Sequence, residues 1–322
     1  MMREGTFRVA PIQYIVEGGR RLSGTIEPAG NKNSALPIIA AALLTEHPVT
    51  LTNVPRIRDT ETLVELIRSV GASAEWTARN TLHIHAKSIR AADLDPELCV
   101  RIRASILLAG PLLARCGEVM LPPPGGDVIG RRRLDTHVLA LEQLGAKVTA
   151  TDRLEFRAAK LAGADVFLDE PSVTATENAL VAAVAADGVT YLRNAASEPH
   201  VQDLANFLVA LGAKIEGIGT NTMVIHGAAT LGAATYRIQP DHIEVGSLIG
   251  LAAVLLMWAT GRIAGVSGIA ARLFPPYEDQ EFPGRLAFVT GLVLAPVLVR
   301  LVTGGLPEQT IAAGTPVLII GG

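Results

Sequence analysis

The chain has 322 residues, a net charge of −3 and a pI near 6.2, which exclude a generally basic nucleic-acid-binding surface and leave room for two domains. Its two cysteines, Cys99 and Cys116, are too few for a disulfide framework and lack the paired spacing of a metal site. We therefore expect small buried thiols in a reduced compartment, with neither a metal nor a cofactor, and no signal peptide within residues 1–15.

One pattern recurs three times in the first 246 residues, with a period of about 70 residues. Each copy predicts a helix, a strand, a loop, a second helix and a second strand. The predicted first helices are 34–44, 104–113 and 177–186, and the strands that follow them are 49–52, 118–121 and 190–192. Each second helix ends at a Gly-Ala pair, at Gly71, Gly145 and Gly212, where a glycine with positive φ is expected.

The first helices also predict how the three copies pack. Segments 38–44, 106–113 and 180–184 are apolar nearly all round, which is typical of helices inside a core. Since one copy cannot bury both faces of its helices and sheet, the three are expected to share a core, with helices inside and sheets outside.

A Pro/Gly-rich loop joins the predicted strand 118–121 to a predicted helix over 134–144 and contains Asp127 and Arg131–Arg133. Glycine lets a backbone approach a ligand closely, and arginine forks match phosphate or carboxylate oxygens. The loop is therefore either an anion site with an acid built into it or a solvated turn with a basic rim. His137, on the following helix, is more typical of a structural histidine than of a base.

Six segments of the chain together resemble one enzyme family over residues 12–250. They are 30–37, 101–105, 124–137, 171–178, 194–199 and 240–244. In this order they are similar to the UDP-N-acetylglucosamine 1-carboxyvinyltransferases, and the pair Lys32-Asn33 before Ala-Leu-Pro separates that family from the related shikimate-pathway transferases. The resemblance implies an inside-out α/β barrel of three repeated units. It also implies transfer of an enolpyruvyl group from phosphoenolpyruvate to the 3′-hydroxyl of UDP-N-acetylglucosamine, a cytoplasmic first step of peptidoglycan synthesis.

The resemblance also implies roles for particular residues. Lys32 and Arg132 match cations that contact phosphoenolpyruvate, with Asn33 as a polar partner and Arg103 as a further ligand contact. Asp127 stands where most members carry the cysteine that protonates the methylene carbon. The implied nucleotide contacts are Arg132, Arg133, Leu134, Asp135, Thr136, Ser172 and Val173. Glu170 and Pro171 depart from the family pattern beside Ser172. From the residues alone, Arg101 and Arg103 could equally be surface side chains at alternate strand-like positions.

The last part of the chain has a different character. Charged side chains are roughly half as frequent after residue 246 as before it, and no lysine follows Lys214. Residues 245–261 carry no charge and reach the lower length of a membrane span, and uncharged runs follow at 286–299 and 309–322. Segments 261–269 and 283–288 resemble the start of the YeeE/YedE family of membrane proteins, which is linked to transport of sulfur compounds. The alternative is a buried helical core segment.

These patterns predict three regions: residues 1–30, from a second domain that the chain otherwise lacks; the transferase unit 31–245, with copies at 31–98, 99–165 and 166–240; and a truncated, transmembrane-helical tail, 246–322. The expected activity is enolpyruvyl transfer, impaired because half of the cleft is missing. The rival functions are a non-catalytic UDP-sugar-binding fragment and a membrane transporter fragment with a soluble passenger, and membrane association would come from the tail.

Overall fold

The computed structural model describes residues 27–90, 94–125, 133–227 and 230–260, with side chains up to residue 252. Helices and strands alternate along these ranges, which confirms the predicted α/β class. The α-helices are α1 (Lys32–Ala41), α2 (Arg58–Ser69), α3 (Pro96–Arg101), α4 (Ala109–Cys116), α5 (Asp135–Gln143), α6 (Val173–Val184), α7 (Pro199–Ala210) and α8 (His242–Thr260). Two 3-10 helices, Ala42–Leu44 and Arg103–Leu108, extend α1 and precede α4.

The described strands form three sheets. They are β1 (Val49–Thr52), β2 (Ser73–Ala78), β3 (Thr81–His85), β4 (Glu118–Leu121), β5 (Lys147–Ala150), β6 (Leu154–Arg157), β7 (Asp165–Phe167), β8 (Val189–Arg193), β9 (Lys214–Glu216), β10 (Thr222–His226) and β11 (Ala234–Arg237). The strand orders are β11-β1-β3-β2, β4-β6-β5 and β7-β8-β10-β9. Most pairs are antiparallel, but β11 joins β1 and β7 joins β8 in parallel. A strand from the end of the unit therefore completes the sheet that begins it.

Glycines end the second helices, as the repeated Gly-Ala pair predicts. Gly71, Gly145 and Gly212 have φ of 104°, 98° and 111°, in the left-handed region that favours glycine. Each glycine lets the chain turn from α2, α5 or α7 directly into a strand.

Two asparagines at strand ends have the same backbone conformation and the same kind of side-chain hydrogen bond. Asn53 after β1 and Asn194 after β8 have φ of 56° and 55°, which asparagine tolerates better than most residues. Their side-chain amides donate to the carbonyls of Ile238 and Leu168, at 3.1 and 2.8 Å. Each bond ties a strand end to the parallel strand beside it.

The core lies between helices and sheets. Apolar side chains of α1, α4, α6 and the 3-10 helix before α4 are buried all round, with Ile38, Ile106 and Leu180 at 0% exposure. In β1, β8 and β10 buried side chains alternate with more exposed ones. Because only one face of these strands is buried, the sheets lie outside the helices, as the apolar pattern predicts.

The predicted continuous helix over 104–113 is wrong in its middle. The chain forms a 3-10 helix to Leu108 and starts α4 at Ala109. The side chain of Asn178 enters the break, where it accepts from the N–H of Gly110 at 3.0 Å and donates to the carbonyl of Ile106 at 2.8 Å. Pro111, which has no N–H, follows directly. An inserted side chain thus replaces the regular helical bonds.

The strand-like interpretation of Arg101 and Arg103 is also wrong. Arg101 ends α3, and Arg103 begins the next 3-10 helix. The start of α3 carries a helix signal that sequence reasoning missed: Asp95 accepts from the N–H of Glu97 at 2.8 Å, and Pro96 occupies the first helical position.

Helix α8 covers most of the first predicted membrane span, residues 245–261. Within the ranges described above, no helix has the length and hydropathy needed to cross a membrane. The transmembrane part of the predicted fold is therefore unsupported there, and the rest of the predicted tail, 261–322, lies outside the described residues.

Candidate active site

The starts of several helices lie side by side at one end of the unit. The Nζ of Lys32, the first residue of α1, lies 3.1 Å from Oδ2 of Asp59 in the first turn of α2. Arg103, at the start of its 3-10 helix, donates to the carbonyl of Arg133, just before α5, at 3.2 Å. Helix starts carry free N–H groups and partial positive charge, so Lys32 and Arg103, each at a helix start beside another, favour binding of an anion there.

The start of α6 joins the same group through its polar neighbours. Thr136, in the first turn of α5, is 1% exposed and donates to Oδ1 of Asp169, just before α6, at 2.7 Å. In the first turn of α6, Oγ1 of Thr176 accepts from the N–H of Ala196, in the loop before α7, at 3.0 Å. The predicted contacts of segments 133–136 and 170–173 therefore belong to neighbouring elements.

Lys32 is held loosely. Its side chain is 48% exposed and that of Asp59 is 37% exposed. An exposed pair of this kind contributes about 0 to 1 kcal/mol, so an incoming anion can compete for the ammonium at little cost. Asn33, the predicted polar partner, is exposed beside it.

Asn31 is a residue of this region that sequence reasoning missed. It is 1% exposed, and its Oδ1 accepts from the N–H of Ser34 at 3.0 Å, which caps α1. The signal was available, because asparagine is a preferred residue immediately before a helix.

Arg133 is engaged by carboxylates. Its Nε lies 2.9 and 2.7 Å from the two carboxylate oxygens of Asp135, and its Nη2 lies 3.3 Å from Oδ2 of Asp169. Hydrogen bonding to Arg133 lowers the pKa of Asp135. A ligand phosphate that binds Arg133 must therefore displace the carboxylates of Asp135 and Asp169 from its guanidinium.

The other predicted contacts divide into described and undescribed residues. Ser172 caps α6 by accepting from the N–H of Ala175 at 3.4 Å, and Val173 is the first residue of that helix. Leu134 is half-buried against the core immediately before α5. The predicted acid Asp127 and the predicted cation Arg132 lie outside the described residues.

His137 is a structural histidine, as predicted. The amide Nδ2 of Asn178 donates to its Nδ1 at 2.9 Å, so the other ring nitrogen carries the proton and donates to Oγ1 of Thr174 at 3.0 Å. Burial, and then the nearby charge of Arg103, lower the pKa of His137 to about 4. The ring is therefore neutral at physiological pH, and both of its nitrogens are engaged by protein.

The thiols also behave largely as predicted. Cys99 is fully buried, and burial raises its pKa to about 11, which makes it a poor nucleophile. Cys116 is half-buried at the end of α4.

Glu177 is the most unusual acid among the described residues. Its side chain is 2% exposed, and Oε1 has no hydrogen-bond partner there. Burial, and then the charge of Glu198, raise the pKa of Glu177 well above its ordinary value of 4.5. The folded chain therefore holds this carboxyl protonated in a pH range where the unfolded chain ionises it.

Glu177→Gln is expected to stabilise the chain at pH 8 and to leave its stability unchanged below about pH 4.5, where the carboxyl is protonated in both states. The gain should grow as the pH rises from 4.5, because only the unfolded wild-type chain gains by releasing the proton. Denaturant unfolding at several pH values measures it, with Glu65→Gln, at an exposed position on α2, as the control. A variant that is less stable than wild type at pH 8 would contradict a protonated Glu177.

Comparisons with known proteins point to one family. The family model described as EPSP synthase (3-phosphoshikimate 1-carboxyvinyltransferase) matches residues 16–259. A UDP-N-acetylglucosamine 1-carboxyvinyltransferase of Bradyrhizobium diazoefficiens is 96% identical over 246 residues, which are 76% of this chain and 57% of that protein. The enzyme of the same name from Treponema denticola is 52% identical over 242 residues, 75% of this chain and 57% of that one. The chain thus spans little more than half the length of these relatives.

Solved structures agree on the fold. The enolpyruvyl transferase NikO from Streptomyces tendae matches with a TM-score of 0.62 and 29% identity, over 72% of this chain and 55% of that one. An EPSP synthase from Acinetobacter baumannii matches with a TM-score of 0.57 and 20% identity, over 67% and 50% of the two chains. The predicted enolpyruvyl transferase fold is therefore confirmed for the matched part, while the resemblance of residues 247–322 to YeeE/YedE proteins stays a prediction.

Proposed function

Because this chain belongs to the EPSP synthase (3-phosphoshikimate 1-carboxyvinyltransferase) family, we propose that the gathered helix starts are part of an enolpyruvyl transferase site. The substrates we assign are phosphoenolpyruvate and UDP-N-acetylglucosamine, with transfer to the 3′-hydroxyl of the sugar as the first committed step of cytoplasmic peptidoglycan synthesis. The observation that carries the proposal is the position of Lys32 at the start of α1, loosely paired with Asp59 beside other helix starts. The 96% identity to a UDP-N-acetylglucosamine 1-carboxyvinyltransferase supports the choice of UDP-N-acetylglucosamine as the acceptor.

The phosphate and carboxylate of phosphoenolpyruvate would bind to Lys32, Arg132 and Arg103, with Asn33 as a polar neighbour. Lysine and arginine near helix starts stabilise negative charge that develops in the transition state, which is commonly the largest catalytic contribution. Lys32 would exchange the Asp59 carboxylate for a phosphate oxygen.

The sugar nucleotide would lie along the starts of α5 and α6. Arg133 offers its guanidinium after exchange with carboxylates, and Ser172 offers a hydroxyl. The remaining nucleotide contacts we assign are Leu134, Asp135, Thr136 and Val173. The carboxylates of Asp169 and Glu170 contact Arg133 and Thr136. A diphosphate would therefore bind here only where the positive charge of the arginines exceeds the negative charge of these carboxylates.

Asp127 would be the general acid. In the addition step the sugar 3′-hydroxyl releases its proton to solvent as its oxygen bonds to the central carbon of phosphoenolpyruvate, and the carboxyl of Asp127 gives its proton to the methylene carbon. Phosphate then leaves as a proton of the new methyl group returns to the Asp127 carboxylate, which restores the double bond. A carboxyl acts this way near neutral pH only if burial or acidic neighbours keep it protonated.

Lys32→Ala is expected to weaken binding of phosphoenolpyruvate to the full chain by about tenfold or more, the usual consequence of losing a hydrogen bond from a charged group. Phosphorus NMR titration measures the affinity. Lys214→Ala removes a lysine with a similar pair, 3.3 Å from Glu216 on β9, and should change nothing. Equal affinity of native and Lys32→Ala chains would refute the assignment. Phosphate release in the presence of UDP-N-acetylglucosamine separates a transferase from a fragment that only binds the sugar nucleotide.

We also infer that residues 246–322 are a segment distinct from the transferase unit and associate with membranes. The family match ends at residue 259, and the density of charged residues falls near residue 246. A chain that ends at residue 245 should be soluble, whereas the full chain should aggregate or partition into detergent. Equal solubility of both chains would contradict the inference.

A further inference from the structure

Two chain segments run side by side where the transferase unit begins and ends. Gly30 and Pro240 form an antiparallel bridge, and the N–H of Asn31 donates to the carbonyl of Gln239 at 2.9 Å. The N–H of Asp241 donates to the carbonyl of Ala29 at 2.8 Å. The paired segments lead directly into α1 on one side and α8 on the other.

Two side-chain bonds connect the starts of these two helices. The carboxylate of Glu244, in the first turn of α8, accepts from the N–H of Ala29 at 2.8 Å. Nδ2 of Asn31 lies 3.2 Å from Nδ1 of His242, the first residue of α8. Asn31 is buried and also caps α1, whose first residue is Lys32. The same amide therefore contacts the first residue of α8 and caps the first turn of α1.

The hydrogen-bond pattern fixes the protonation state of His242 that this bond requires. Oδ1 of Asn31 accepts from the N–H of Ser34, so the other amide atom, Nδ2, is a donor. His242 must then accept at Nδ1, which it can do only when that nitrogen carries no proton. If Nδ1 is protonated, either the bond to His242 or the cap at Ser34 is lost.

We propose that Asn31 and His242 form a latch that positions Lys32 for its anion. The proposal rests on the assignment of Lys32 to the phosphate of phosphoenolpyruvate. With the latch closed, the first turn of α1 is fixed and the ammonium of Lys32 needs little ordering when the anion binds. With the latch open, binding of the anion must also order the first turn of α1 and the Lys32 side chain, and the free-energy cost of that ordering lowers the affinity.

Several titratable or charged groups lie around the latch. The ring of His200 on α7 stacks near that of His242, with centroids 6.4 Å apart. The groups that face the latch from α7, α8, α1 and α2 are Glu198, His200, Asp203, Asp241, Glu244, Lys32 and Asp59. Affinities are therefore compared at a single pH, and Asn31 and His242 are replaced only by uncharged residues.

Two single variants of the full chain and their combination separate the parts of the latch. Asn31→Ser keeps an oxygen to cap α1 but cannot reach His242. His242→Ala removes the acceptor. His83→Ala is the matched control, since Nδ1 of His83 makes a bond of the same length, 3.2 Å, to Thr50 within a sheet.

Phosphoenolpyruvate affinity is measured by phosphorus NMR titration at pH 8. Asn31→Ser and His242→Ala should each weaken binding about fivefold, as expected for one net hydrogen bond, and the double variant should be no weaker than either.

The outcomes separate this inference from the function on which it rests. If Lys32→Ala leaves affinity unchanged, the assignment of Lys32 fails. If Lys32→Ala weakens binding but Asn31→Ser and His242→Ala match the native chain, the latch alone is refuted. An effect of His83→Ala as large as that of His242→Ala, or additive effects in the double variant, would each overturn it as well.

Discussion

Replacement of Asn178 by alanine is expected to lower the free energy of unfolding by about 3 to 5 kcal/mol, which is at the severe end for a single substitution. The amide makes three buried hydrogen bonds, with the N–H of Gly110, the carbonyl of Ile106 and Nδ1 of His137. Alanine leaves all three groups without this partner in an interior that water does not reach, and it also leaves a cavity. The variant should also lose the two bonds, to Gly110 and Ile106, that stabilise the break between the 3-10 helix and α4.

Denaturant unfolding of the two chains measures this effect. Asn221→Ala is the control, because Asn221 is exposed and, among the described residues, its side chain bonds only to the neighbouring Thr222, at 3.3 Å. It should change stability by less than about 0.5 kcal/mol. A loss below about 1 kcal/mol for Asn178→Ala would show that its three partners find water or one another.

This break in the helix marks the limit of what local sequence could predict. Residues 104–113 are apolar and read as one helix, and the interruption requires a side chain from α6, which lies much later in the chain. Gly110 and Pro111 hinted at irregularity, but neither reveals which residue fills the gap. Where a local rule suffices, as for the positive φ of Gly71, Gly145 and Gly212, the prediction was right.

The candidate site likewise has features that local sequence predicts and features that depend on distant contacts. The predicted Lys32 and Ser172 stand at helix starts, where short motifs determine both the backbone and the exposed side chain. The pairing of Lys32 with Asp59 and the bond from Asn31 to His242 depend on how distant segments meet, and no periodicity encodes that. The sequence predicts Glu177 only as part of a helix. The lack of a partner for its Oε1 depends on the positions of all the surrounding side chains, which the sequence does not give.

The chain is expected to lose about 3 kcal/mol of stability through His137 as the pH falls from 6.5 to 4. Burial lowers the pKa of His137 in the folded chain to about 4, from an ordinary 6.5. Between these values the unfolded chain takes up a proton that the folded chain refuses, so lower pH favours unfolding, and the loss is complete once the folded ring is protonated. The hydrogen bond from Nδ2 of Asn178 gives the structural reason, because Nδ1 cannot gain a proton while it accepts.

Glu177 opposes this trend, so its influence must be removed first. Its raised pKa makes the folded chain hold a proton that the unfolded chain releases above 4.5, which means that lower pH favours folding through that group. In a Glu177→Gln background the loss due to His137 should appear undiminished, and adding His137→Gln should remove about 3 kcal/mol of it between pH 6.5 and 4. Because burial also lowers the pKa of His200, a smaller slope should remain in that variant. His47→Gln, at an exposed position, should leave the slope as it was. An unchanged slope after His137→Gln would show that the acid sensitivity belongs to other groups.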